Sequence, residues 1–363
     1  MGQRYDRRFT EILAVQEDIA KQVSEKLGQR PTGTEQKLLA KRYTENTEAY
    51  QLYLKGRYYW NRRTAELLKK ANEYFQQAID RDPTFGLAYA GLAESYALFN
   101  YYGVQPPREA CPKANAAAMK AIEIDESLVE PHAALGWIKM SCDWDWPGSE
   151  RQFKRALEIN PNDGTARMWS AAYLIAMGRL DESVPEYKRA LQAEPLSLVI
   201  SSSLGLSLCL TRRYDQAMEQ LQKTIDMDQS FVEAHRFLWL VYEQKAMFTE
   251  AISEFQQALS LSRGDTRFVS ALGHAYAISG REKMAEESLV RLQEQGKQRY
   301  VAPYDIAVVY AGLKDIDQTF KYLDMACQDH SFWLIYFRTD PRFDAIRGDP
   351  RYRDLLRRMH LIS

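Results

Sequence analysis

Residues 166–195, ARMWSAAYLIAMGRLDESVPEYKRALQAEP, carry an apolar stripe, a Gly-Arg turn, a small-large-small set (Ser183, Tyr187, Ala190) and a closing proline. Thirty-four positions later, residues 200–229, ISSSLGLSLCLTRRYDQAMEQLQKTIDMDQ, bring back the stripe and a charged turn in the same order. Aligned outward from there, Gly56, Ala93, Gly136, Ala171, Gly205, Trp239, Gly273 and Ala307 fall on one position, spaced 37, 43, 35, 34, 34, 34 and 34. A self-similarity of this length identifies stacked helix-turn-helix units, each burying its apolar face on its neighbours.

The units agree in detail. One position before the aligned residue stands Leu92, Leu135, Leu204, Leu238, Leu272 or Ile306, with Ser170 the exception and Tyr53 three before it in the first unit, and three after it stands Tyr59, Tyr96, Leu174, Leu208, Tyr242, Tyr276 or Tyr310, with Lys139 the outlier. This spacing draws one stripe along a first helix. A second helix carries Ala71/Phe75/Ala78, Ser149/Phe153/Ala156, Ser183/Tyr187/Ala190 or Ala251/Phe255/Ala258, small side chains placed so that large ones can approach. Pro83, Pro161 and Pro195 end second helices, because proline disfavours helix at the residue before it. The longer spacings reflect insertions, near Asn61-Arg62-Arg63 and at Asn100–Pro107, where Gly103, Pro106 and Pro107 mark a loop.

The pattern resembles the tetratricopeptide family over about residues 47–329, in eight units. That resemblance implies an all-α fold, a right-handed superhelix (α-solenoid) with a C-terminal capping helix over 330–363. Arg4–Leu27, Tyr50–Gly56, Asp143–Trp146 and Asp340–Asp344 are further similar to bacterial signalling proteins, in which a TolB amino-terminal-like α/β domain precedes the repeats. Residues 1–46 then read as a helical lead-in, the remnant of a truncated α/β domain. The resemblance implies a signalling context and transfers no kinase, cyclase or DNA-binding activity.

In such a superhelix the first helices line a concave face. Projected onto this sequence, the groove comprises Tyr53, Arg57, Trp60, Glu94, Trp137, Met140, Met168, Ile175, Leu206, Leu210, Arg236, Glu243 and His274, apolar in the middle and charged at the rims. That surface suits a peptide or helix held by hydrophobic anchors. The family's carboxylate clamp for chaperone tails needs Lys and Asn where Tyr53 and Arg57 stand, which disfavours a chaperone-tail adaptor.

Other classes find little support. A net charge of −1 lacks the concentrated positive field that nucleic acid requires, although Arg347, Arg351, Arg353, Arg357 and Arg358 cluster at the C-terminus. Neither end carries a targeting segment, and no stretch has the ~20 apolar residues of a membrane span. Catalytic and phosphate-binding motifs are missing, and His132, His235, His274, His330 and His360 are scattered, so neither enzyme, cofactor nor metal is expected. Cys111, Cys142, Cys209 and Cys327 read as isolated packing residues, weakly favouring a reducing compartment. At Asp143–Trp146 a capping Asp145 with packed indoles accounts for all four residues, against a small-ligand reading. Asp340-Pro341 and Asp349-Pro350 are helix starts, and Tyr352, Leu355 and Leu356 can seal the last repeat. The expectation is a non-enzymatic cytoplasmic scaffold for a protein or peptide partner. Homo-oligomerisation and an extracytoplasmic, membrane-anchored placement are the open alternatives, as is a detached sensor module of a transcriptional or kinase regulator.

Overall fold

A computed structural model of the chain describes residues 43–252 and 265–362. The lead-in segment Arg4–Leu27 and the Phe255/Ala258 pair lie outside the described residues. The first five units pair α1 (Thr47–Asn61) with α2 (Ala65–Arg81), α3 (Gly86–Phe99) with α4 (Pro107–Ile124), α5 (Glu130–Ile138) with α6 (Trp146–Ile159), α7 (Gly164–Ala176) with α8 (Leu180–Ala193), and α9 (Leu198–Leu210) with α10 (Tyr214–Met227). α11 (Val232–Gln244) opens the sixth, whose second helix is described only at its start, residues 248–252. α12 (Thr266–Ile278) and α13 (Glu282–Gly296), then α14 (Pro303–Gly312) and α15 (Ile316–Asp329), complete the array, and α16 (Pro350–Arg358) follows. No strand occurs among the described residues.

Local chemistry sets the helix ends. The side chains of Asn46, Thr64, Asp163, Ser197 and Asp315 each accept from a backbone N–H in the first turn of the helix they precede, satisfying donors that the helix leaves open. The first helix of a unit meets the second through small-on-large contacts. A Cβ on Gly56 would come within 2.5 Å of Phe75, and one on Gly136 within 2.6 Å of Phe153, so these glycines are what lets the helices close.

Two segments depart from the simple stack. Asn100–Pro106 leaves the surface and turns Tyr102 inward. After α15 the chain crosses back toward the early repeats through two short 3-10 turns, Phe332–Tyr336 and Pro341–Ile346. It ends in α16, where Tyr352, Leu355 and Leu356 are buried while Arg351 and Arg358 pair with Asp317 and Asp324 of α15. With Arg347 on Asp344, three of the five C-terminal arginines are thus paired with carboxylates.

The Asp143–Trp146 turn is more elaborate than a capped helix start. Lys139–Asp143 forms a π-type turn, Trp144 takes a left-handed φ of 52°, and Asp145 accepts from Gly148 N at 2.9 Å. Both indoles face the returning C-terminal segment: Trp144 stacks on His330 with centroids 4.1 Å apart, and Trp146 Nε1 donates to the Met359 carbonyl at 2.7 Å. One expectation is corrected here. Cys111 on α4 and Cys142 in the π-type turn are joined in a disulfide, their Cα atoms 6.2 Å apart; Cys209 and Cys327 are buried free thiols.

Candidate functional site

The residues projected onto the concave face are not open to solvent. Among the thirteen projected groove residues, Trp60, Glu94, Met140 and Ile175 are at most 1 % exposed. Tyr53, Trp137, Met168, Leu206, Leu210, Arg236, Glu243 and His274 are buried as well, and only Arg57 keeps a quarter of its side chain in contact with solvent. The expectation that these residues face solvent is thus corrected. An array that curves around a lumen with aromatic walls leaves too much apolar surface to stay wet, and the chain covers that surface with its own residues.

Two pieces do the covering. The ring of Phe332 stacks on Trp137 at 5.2 Å and meets Tyr101 edge-on at 4.9 Å. Trp333 lies 5.1 Å from Tyr101 and beneath the Arg236 guanidinium, 4.5 Å from its ring centre. Asn100 Nδ2 donates to the His330 carbonyl at 3.4 Å, tying the insertion loop to the returning segment. Further along, Arg338 donates to the Met177 carbonyl at 3.5 Å, Tyr304 donates to Asp340 at 2.6 Å, and Asp344 pairs with Arg212 at 2.7 Å.

The buried charges of the lumen are mostly matched. Glu233 accepts from Arg236 at 2.9 Å, Arg267 at 2.8 Å and the Tyr101 hydroxyl at 3.1 Å, and Arg267 also holds Asp265 at 2.6 Å. Burial pushes the Glu233 carboxyl up, but the two guanidiniums outweigh it and hold the group below its usual range. Asp340 is likewise kept low against burial by its fork with Arg342. Arg57 pairs with Glu94 and His274 with Glu243. Burial, only partly offset by Arg57, raises the Glu94 carboxyl to about 7, and burial raises Asp305 to about 6.

Arg63 breaks the pattern. It sits at the short insertion after α1 with φ of 54°, is 5 % exposed, and lies flat on Trp60 with its guanidinium carbon 3.5 Å from the ring centre. Among the described residues its side chain has neither a carboxylate nor a hydrogen-bond acceptor, and its Nε is buried without a partner. Desolvation lowers its pKa to about 10, which leaves it charged at neutral pH.

The lumen's chemistry therefore rests on Arg63, Tyr101, Tyr102, Glu233, Arg267, Phe332, Trp333 and Tyr336, none of which the repeat projection nominates. A usable signal is present in residues 330–337, HSFWLIYF, a run too apolar for an exposed connection, and in the paired tyrosines of the insertion loop. His132 and His235, which hold equivalent places in their units, are packed, bonded to Gln152 at 2.8 Å and to the Gln229 carbonyl at 2.9 Å. No cluster able to hold a metal ion occurs among the described residues, and none of their helices is long and apolar enough to cross a membrane.

Comparison with known proteins agrees with this architecture. The tetratricopeptide repeat family model matches residues 145–197. The chain is 24% identical over 253 residues to the human protein O-mannosyl-transferase TMTC3, covering 69% of this chain and 27% of that protein. It is also 24% identical over 148 residues to the transcriptional regulator HilA of Salmonella typhimurium, covering 41% of this chain and 27% of the regulator. The chain thus spans about a quarter of the length of these curated relatives. Among solved structures, human IFIT1 with m7Gppp-AAAA superposes with a TM-score of 0.60 at 13% identity, over 97% of this chain and 76% of that one. The matched repeat model and the superposition agree with a tetratricopeptide superhelix for this chain.

Proposed function

We propose that this chain is a non-enzymatic protein-interaction scaffold whose concave face takes an aromatic segment of a partner, in competition with its own residues 332–346. The observation that carries the reading is the seating of Phe332 on Trp137 and of Trp333 under Arg236, an anchor arrangement of the kind that concentrates binding energy at interfaces. The thirteen projected residues then act as the floor of the groove, with Trp137, Met168 and Leu206 as anchors. The reading assigns the chain no catalytic step and no cofactor.

The test is a labelled peptide of residues 330–347 titrated into the full chain and into its Phe332→Ala/Trp333→Ala variant. With the resident segment loosened, the variant binds the peptide at least about tenfold more tightly. Adding Trp137→Ala removes about 2 kcal/mol or more of that binding. A peptide that binds neither protein, or binds regardless of Trp137, refutes the reading.

The Cys111–Cys142 disulfide supports placing the scaffold in an oxidising compartment, the extracytoplasmic alternative, since such bonds are rare in the cytosol. A second reading, a sensor or oligomerisation module of a bacterial transcriptional or kinase regulator, draws support from the similarity to HilA. Light scattering decides between them: a concentration-independent monomer counts against an oligomerisation module.

A further inference from the structure

The lumen contains a cavity of about 50 Å³ walled by Arg63, Tyr101, Tyr102, Trp137, Trp169 and Tyr336, with Met168 and Leu206 among the apolar remainder. We propose that this cavity is a binding site for a short-chain organic monocarboxylate, with Arg63 as its anion-binding residue.

The argument begins with charge. An arginine this deeply buried ordinarily has a carboxylate beside it, because desolvating a lone guanidinium is unfavourable. The other buried arginines follow that rule: Arg236 and Arg267 share Glu233, and Arg342 holds Asp340. Arg63 does not, although it lines a cavity where the insertion loop, the first unit and the C-terminal segment meet. A ligand carrying one negative charge supplies what the protein leaves out.

Geometry narrows the ligand class. Stacking on Trp60 covers a face of the guanidinium and leaves its in-plane donors free, and the buried Nε without a partner marks the edge that can present two parallel donors to a planar carboxylate. A dianion fits less well, because Glu94 and Glu233 are already paired with Arg57, Arg236 and Arg267, and Arg63 alone brings a single charge without a carboxylate beside it. The walls provided by Leu98, Met168, Trp169 and Phe237 suit a short hydrocarbon tail, and the volume suits a few heavy atoms. Tyr336 belongs to the segment that covers the concave face, so an occupied site adds a contact that holds that segment down.

The test uses the full chain, titrated calorimetrically with butyrate, its neutral isostere butyramide, and inorganic phosphate. Trp137 and Trp169 fluorescence gives a second readout. Butyrate binds saturably at one site, and butyramide and phosphate bind at least about tenfold more weakly. Arg63→Gln lowers butyrate affinity roughly tenfold to a hundredfold, the loss of a charged hydrogen bond, while Arg63→Lys recovers part of it. The proposal is overturned if butyrate does not bind the wild-type chain, if butyramide or phosphate matches it, or if Arg63→Gln leaves its affinity unchanged. Should Arg63→Gln fail to fold, the butyrate and butyramide comparison on the wild-type chain decides the question by itself.

Discussion

Replacing Glu233 with Gln tests how the lumen is held together. The change keeps the side chain's size, so no cavity term enters and the effect is electrostatic. Glu233 neutralises Arg267 at 2.8 Å and Arg236 at 2.9 Å and accepts from Tyr101 at 3.1 Å, with all three charged side chains at or below 10 % exposure. Removing one partner of a buried ion pair costs about 3–5 kcal/mol. Arg267 keeps Asp265 at 2.6 Å, and Arg236 keeps the rings of Phe237 and Trp333 at 4.4 and 4.5 Å, contacts that retain about 1–2 kcal/mol. The expected loss is therefore at the lower end, about 3 kcal/mol, read from urea unfolding by far-UV circular dichroism. Because the Glu233 pKa is depressed in the folded state, its contribution is present above the unfolded carboxyl value and disappears as pH falls through the folded one. The wild type should lose stability in acid below about pH 4, and Glu233→Gln should lose less there. A loss below about 1 kcal/mol, the range of exposed pairs, would refute the reasoning, as would strict additivity with Arg236→Met in a double-mutant cycle.

Three further outcomes are expected. Gly136→Ala raises helix propensity by about 1 kcal/mol yet should destabilise, because its Cβ meets Phe153 at 2.6 Å, whereas Gly296→Ala, with only Val301 at 3.9 Å, should not; thermal melts give the two signs. Reducing Cys111–Cys142, separated by 31 residues, should remove about 3–4 kcal/mol by loop-closure arithmetic, and an unchanged urea midpoint with both thiols alkylated would contradict this. Glu94, raised to about 7, contributes stability that is complete below the unfolded carboxyl pKa and is lost as pH rises through 7; melting temperatures between pH 5 and 8 should fall in the wild type and fall less in Glu94→Gln.

The repeat architecture was legible because its determinants are local. Gly56 against Phe75 and Gly136 against Phe153 pair a small residue with a large one of the next helix in the same unit, and the caps at Asp145 and Asp163 sit within three residues of the groups they satisfy. That the projected concave residues sit on the first helices of their units, Met140 of the π-type turn excepted, was legible too, since it follows from helix phase. Their exposure was not, because nothing in a repeat's own pattern reports what crosses the lumen. The contacts that decide it join Asn100 to His330 and Trp137 to Phe332, and they depend on how rotation accumulates over the whole array. The disulfide was hidden for a related reason: Cys142 belongs to a π-type turn that period counting treats as ordinary helix. In the sequence Arg63 is marked only by its place in a short insertion, and its isolation from carboxylates is a property of three dimensions.

The hydrogen bond from Trp146 to the Met359 carbonyl, 213 positions apart, makes the array a closed circuit. Open solenoids tolerate the gain or loss of a whole unit, because each repeat answers only to its neighbours. Here the third unit and the chain's end have to arrive at the same place. Inserting or deleting one repeat between them would rotate and translate Met359 away from the indole and draw Phe332 off Trp137 at the same time. The number of repeats between Trp146 and α16 is therefore a counted quantity in this protein, and in chains that keep this closure, change should accumulate by substitution within units and not by duplication of them.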